Sequence, residues 1–178
     1  MQLEITLIIF ILLIYIKSIV IVPEDYQCVL ERLGVFNRVL RPGFHQIIPF
    51  FEMVVAKIRV NEQELSIPRK EYITKDKFPV FVAGTISFQI QDVVKVVYQV
   101  RNLQESLFNL VSSNLQSIVG EMNKEDLMGK RDEIGRKFTQ ITYEEAMNWG
   151  VKIIRTNIQD ISPQQIDYFE KPKDYYAR

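Results

Sequence analysis

The sequence predicts an α+β domain, β-rich in its first half and with helices packed on strands in its second, carried behind an N-terminal transmembrane helix. Three observations predict it. Residues 3–22 read LEITLIIFILLIYIKSIVIV, apolar apart from Glu4, Thr6, Lys17 and Ser18. Between residues 23 and 79, β-branched and aromatic runs alternate with Gly34, Pro42, Gly43, Pro49 and Pro68, none of which suits a helix interior. Beyond residue 102 the apolar positions change to helical spacing.

Twenty helical residues at about 1.5 Å each reach roughly 30 Å, the depth of a bilayer's hydrocarbon core. Lys17 and Tyr15 sit near the C-terminal end of the run, where an ammonium on a long stem and an amphipathic ring suit the interface. The opening Met1, Gln2, Leu3, Glu4 carries no base, and residues 19–22 offer no small-residue cleavage pattern, so the segment reads as an uncleaved anchor rather than a signal peptide. A buried core helix is the competing reading. Lys17, Arg32, Arg38 and Arg41 all follow the apolar run, which by the positive-inside rule puts the N-terminus outside and the domain in the cytoplasm of a single-pass cell-membrane protein.

Within the domain, residues 80–90 form the clearest strand. Val80, Val82, Ile86, Phe88 and Ile90 share one face, and Thr85, Ser87 and Gln89 the other. Asn102 with Glu105 three residues on resembles a capping box, and Leu103, Leu107, Leu110, Val111, Leu115, Ile118 and Val119 follow at helical spacing. A second helix begins near Lys130, carries Ile134, Phe138 and Ile141 toward Trp149, and stops at Gly150. Residues 151–161 return to β-branched character, with a slip at Ile153 and Ile154 that predicts a bulge or a buried side. Ser162 as cap, Pro163 and Gln165 predict one further short helix, limited by Pro172. The expected division is an anchor at 1–22, a domain at 23–162 and a short helix and tail at 163–178.

The 178 residues and 21.0 kDa fit one domain with an appendage. Lys and Arg number 22, as do Asp and Glu, with no basic stripe, so nucleic acid is not an expected partner. One Cys and one His exclude a disulfide framework and a Cys/His metal cluster. No catalytic, cofactor or metal residue is expected. His45 is the single imidazole, and Ser66, Ser87 and Ser162 lack a nucleophile-elbow setting; the plainer role for His45 is to satisfy a backbone group at the Pro42-Gly43 turn. The pairs Glu24-Asp25 and Glu144-Glu145 are adjacent in sequence and diverge in either regular structure.

Two features point to lipid. Cys28 lies six residues past the anchor, within reach of palmitoylation, but its alternation with Tyr26 and Leu30 argues instead for a buried strand face. Phe44, Ile47, Ile48, Phe50 and Phe51, interrupted by Pro49, either dip into the membrane or pack in the β-rich core. Arg32, Arg38 and Arg41 would approach anionic headgroups, with Glu24, Asp25 and Glu31 offsetting part of the charge.

The motifs resemble those of the SPFH or band 7 proteins, the stomatin, prohibitin and flotillin superfamily. The run from Val29 to Phe36 (VLERLGVF) is similar to the stomatin opening, and Arg38 to His45 (RVLRPGFH) with Ile48, Pro49 and Phe50 to its RVLxPGxHxxIPF stretch. Glu62-Gln63, Ile73 to Asp76, Gly84 before Phe88, Trp149-Gly150 and Ile158 to Ile161 follow in the same order. The resemblance implies a scaffold without catalytic residues that self-associates, organises membrane microdomains and modulates membrane proteases or channels. It also implies a long C-terminal coiled coil, of which residues 163–178 show only a start. The alternatives are an adaptor or inhibitor docking on one membrane protease, and a membrane-bound hydrolase using His45. If the anchor reading holds, alkaline carbonate leaves the full chain in the vesicle pellet; release to the supernatant contradicts it.

Overall fold

The computed structural model describes residues 2–6, 9, 15 and 18–163. The described N-terminal residues are helical and are designated α1. The rest follows as β1 (Ile19–Val22), β2 (Tyr26–Arg32), β3 (Val35–Leu40), β4 (Gly43–Gln46), β5 (Glu52–Arg59), β6 (Gln63–Ile73), β7 (Pro79–Ile90), α2 (Val93–Gln99), α3 (Leu103–Glu121), α4 (Lys124–Gly129), α5 (Arg131–Asn148) and β8 (Val151–Pro163). The α+β class and the change from strands to helices agree with the sequence reading.

Among the described residues no helix is long and apolar enough to cross a membrane. Residues 7, 8, 10–14, 16 and 17 of the apolar run, Lys17 included, lie outside the described residues. The C-terminal limit of the expected anchor is corrected: residues 19–22 are not helical but form β1, paired antiparallel with β4 through Ile19↔Gln46 to Val22↔Gly43. Four consecutive β-branched residues at 19–22 favour a pleated strand once a partner is present. Ser18 makes the break, its amide and its hydroxyl both donating to the Tyr15 carbonyl, at 3.1 and 2.6 Å.

Two three-stranded antiparallel sheets form the body, in the orders β3-β2-β5 and β6-β7-β8. The central strand of the first sheet, β2, is buried on both faces at Cys28, Val29 and Leu30. Cys28, Leu30 and Leu40 meet Val22 in a small core, joined by the half-buried Val20, Ile47 and Val54. On the other face Val29 joins the main core. A bulge at Val55 of β5, opposite the step from Val29 to Leu30, carries the register to Arg32↔Glu52 at the end of β2.

The main core lies between the second sheet and its helices. Val80, Val82, Ile86, Phe88 and Ile90 are buried along β7 as their alternation requires, and Leu107, Val111, Leu115, Ile118 and Val119 of α3 meet Ile134, Phe138 and Ala146 of α5. Asn102 caps α3 by accepting from the Glu105 amide at 3.3 Å. Asn114 donates to Thr142 Oγ1 at 3.3 Å, tying α3 to α5 inside the core. Gly150, at φ +76°, ends α5, and its carbonyl accepts from the Gln91 and Asp92 amides. The slip at Ile154 is a bulge: Arg155 faces Ser87 while Ile153 faces Phe88.

Three further differences have physical causes. α2 escaped the sequence reading because VVKVV has strand propensity; Asp92 decides it by accepting from the amides of Val94 and Lys95 at 3.0 and 3.1 Å. The short α4 was not foreseen either. The helix expected from Ser162 and Pro163 does not begin there, since β8 continues through both, opposite Phe81 and Val80; proline is tolerated because β8 is the edge strand. The remainder of that helix lies outside the described residues.

Close strand packing explains Gly84. A Cβ there would lie 2.6 Å from the Asn157 carbonyl oxygen and 3.3 Å from Ile158 Cα. Gly84→Ala is expected to lower stability by about 1–3 kcal/mol. Gly135→Ala, inside α5 with nothing within 4 Å of the added carbon, is expected to raise it by about 0.5–1 kcal/mol. Urea melts of the two variants read both signs.

Candidate membrane-facing site

The site is the end of the first sheet where the chain emerges from the N-terminal helix. The Ile47 amide donates to the Ser18 carbonyl at 2.7 Å. The end of β4 is thus fastened to the point at which the helix gives way to β1. The β4–β5 turn follows: the Phe51 and Glu52 amides donate to the Ile48 carbonyl at 3.3 and 2.8 Å, and Phe50 takes φ +71°. The Leu33 amide donates to the Phe51 carbonyl at 3.0 Å, so the β2–β3 turn, with Leu33 at φ +51° and Gly34 at +80°, lies against it. Two non-glycine residues at positive φ, a strained conformation for a side chain with a Cβ, are held at one tip.

Beneath the tip is Glu52, whose side chain is 1% exposed. Its Oε1 accepts from Arg32 Nη2 at 2.6 Å, Arg32 Nε at 3.2 Å and Asn37 Nδ2 at 3.0 Å, and its Oε2 accepts from the Ile48 amide at 3.0 Å. Arg38 Nη2 stands 3.6 Å from Oε2 and donates to the Gln46 carbonyl at 3.2 Å. The Ile48 amide, then the Arg32 guanidinium, hold the Glu52 carboxyl below the usual carboxylate range; burial opposes them, and Arg38 adds to the lowering. The sequence reading missed Glu52, because a single acid at the start of a strand carries no motif. The register Arg32↔Glu52 is what pairs it.

The structure sorts the residues expected to meet lipid. Phe50 is 90% exposed, and Phe44, Ile48, Phe51 and Leu33 are also exposed, so the core-packing alternative fails for all of these. It holds for Ile47, which packs on the small core. Phe44 stands opposite the exposed Ile21 on the outer face of the β1–β4 ribbon. Tyr15 is half exposed, beside the Ser18 break. Cys28 follows the buried-strand reading and not the lipidation option: it is 3% exposed in the small core, and burial pushes its thiol up, with Lys57 opposing. A buried, protonated thiol is a poor acyl acceptor, so the buried-strand alternative describes it and lipidation does not.

His45 Nε2 donates to the Arg41 carbonyl at 2.7 Å, the turn-satisfying role read from the sequence, and no group of three or more metal-ligating side chains occurs among the described residues. The apolar stripes of α3 and α5 are not free to serve as association surfaces, since both helices spend them on the main core. A groove of about 740 Å³ between α5 and β8, lined by Arg136, Tyr143 and Ile154 among others, contains none of the candidate lipid-contacting residues.

Because the Glu52 carboxyl is held below its ordinary range, the stability it contributes is fully present above the unfolded-chain pKa of about 4.3 and is lost as pH falls through the lower folded value. Glu52→Gln is expected to remove part of that acid-side slope and to lower stability at pH 7 by about 2 kcal/mol. Thermal melts of both forms between pH 7 and pH 3 test this; parallel curves would contradict it.

Comparison with known proteins agrees with this architecture. The model of the SPFH domain / Band 7 family matches residues 20–172. A stomatin homolog of Pyrococcus horikoshii is 33% identical over 155 residues, 87% of this chain and 58% of its own. An uncharacterized protein of Methanothermobacter thermautotrophicus is 31% identical over 163 residues, 92% of this chain and 51% of its own. An uncharacterized protein of Methanocaldococcus jannaschii is 32% identical over 154 residues, 86% and 77%. The chain thus spans roughly half to three-quarters of the length of these relatives. With the family model covering residues 20–172, the chain belongs to the SPFH domain / Band 7 family.

Proposed function

We propose that the chain is a membrane-anchored SPFH scaffold that assembles with copies of itself, organises the surrounding membrane and modulates neighbouring membrane proteins such as proteases or channels. The apolar run ending at Lys17 anchors it, with the N-terminus outside and the domain in the cytoplasm. Lipid contact comes from Tyr15 and Lys17 at the interface and from Phe44, Ile48, Phe50 and Phe51, joined by Leu33. Ile47 serves instead as the inward-facing residue that fixes the tip.

The observation that carries this reading is the 2.7 Å hydrogen bond from the Ile47 amide to the Ser18 carbonyl. It makes the most exposed aromatic tip of the domain a direct neighbour of the helix exit. Each large apolar side chain transferred from water is worth about 1.5–3 kcal/mol, so two or three of them hold the domain down on the bilayer that anchors it. Family membership supports the scaffold role, and the open edges of both sheets supply strands that further copies can meet.

The self-association half of the reading is tested on the full chain in mild detergent by light scattering over a wide concentration range. The expected result is a protein mass several times the 21.0 kDa protomer; a single protomer mass at every concentration would sink the scaffold.

A further inference from the structure

The tip combines apolar residues with an unequal charge cluster. Two guanidiniums, of Arg32 and Arg38, stand over one carboxylate, Glu52. The carboxylate is 1% exposed while the two arginine side chains are 49% and 47% exposed, so the acid is sealed below and the bases face water. Each guanidinium carries five N–H donors, and two carboxylate oxygens cannot take ten. The cluster keeps one net positive charge, with its donors fixed in orientation by a buried partner.

Its position is fixed by the same turn. Arg32 immediately precedes Leu33, whose amide donates to the Phe51 carbonyl, and Arg38 donates to the carbonyl of Gln46, which pairs with Ile19 at the start of β1. Both are therefore at the level where the apolar tip ends. The acids that sequence alone set against these bases stand elsewhere. Glu24 and Asp25 occupy the turn before β2, beyond the full length of that strand from Arg32, which alone is roughly 20 Å at about 3.3 Å per residue and exceeds a Debye length of about 8 Å at physiological salt. Glu31 faces the opposite side of the strand, accepting from Tyr98 Oη at 2.6 Å. Arg41 follows Leu40, which pairs with Cys28, about 13 Å from Arg32 by the same spacing.

We infer that Arg32 and Arg38, held over Glu52, form a fork for the phosphate of an anionic phospholipid, so that the domain gathers acidic lipid beneath its inserted tip. The inference rests on the docking of that tip proposed above. Apolar residues below and guanidiniums at their collar match the two chemistries of an acidic bilayer in order of depth, and planar guanidinium donors suit a phosphate better than point charges do. Each guanidinium near such a surface is worth about a fivefold preference for acidic lipid.

The test uses the full chain carrying Phe50→Trp, reconstituted into vesicles of equal parts phosphatidylglycerol and phosphatidylcholine. Either the glycerol lipid or the choline lipid carries brominated tails that quench indole fluorescence, and the unsubstituted chain, whose single tryptophan is Trp149, supplies the background. The expected result is severalfold stronger quenching by brominated phosphatidylglycerol, falling toward parity in Arg38→Gln and unchanged in Arg41→Gln. Arg38 makes the longer of the two contacts with Glu52, so its replacement leaves the Arg32–Glu52 pair in place; an unchanged melting temperature verifies the fold. Equal quenching by the two lipids, or a preference that survives Arg38→Gln and Arg32→Gln, overturns the fork while leaving tip docking intact. No quenching by either lipid overturns the docking reading and the fork together.

Discussion

The structure of the aromatic tip depends on one buried carboxylate. Glu52 receives two donors from Arg32, one from Asn37 and the amide of Ile48. In doing so it joins three elements that are separate in sequence: the end of β2, the middle of β3 and the β4–β5 turn. A buried carboxylate is tolerable only when its lone pairs are taken and its charge is matched. Here the satisfaction of that requirement is also what shapes the tip, because the Ile48 amide can reach Oε2 only if the turn closes. The exposed Phe50 and Phe51 then follow as the turn's outermost residues.

This arrangement gives the domain two unlike ends. Glu24 and Asp25 lie at one end of the first sheet, and the apolar turns with Arg32 and Arg38 at the other. The small core of Val22, Cys28, Leu30 and Leu40 fastens the β1–β4 ribbon to the sheet and so sets the orientation of the domain relative to the helix exit. The main core around α3, α5 and β7 is a separate cluster. The proposed self-association therefore has the sheet edges available to it rather than the helix stripes, which are already buried.

Much of this was legible in the sequence, for reasons that differ by element. β7 and α3 announced themselves because period and capping agree: alternation from Val80 to Ile90 and the Asn102 cap before Leu107 leave one solution each. The bulge at Ile154 was visible as a broken alternation, and the role of His45 followed from its turn. Local pattern was silent where tertiary pairing decides. Residues 19–22 resume the apolar run just past Lys17 and Ser18, and only the partner strand β4 makes them a strand. VVKVV in α2 carries strand propensity that Asp92 overrides. Glu52 carries no signal beyond one acid among apolar residues, since its meaning lies in the register that brings it to Arg32, twenty positions earlier. A Cys or Phe near a membrane anchor is ambiguous until burial is known, and burial divided Cys28 and Ile47 from Phe50 and Phe51.

The central claim is that the Glu52-clamped turn sits in lipid beside the helix exit. The most direct measurement is electron paramagnetic resonance on the full chain in vesicles, with a nitroxide attached at residue 50 through Phe50→Cys in a Cys28→Ser background. The claim predicts a label readily relaxed by oxygen and shielded from a water-soluble nickel chelate. A label that the chelate reaches as freely as it reaches an exposed site on α5 would contradict it.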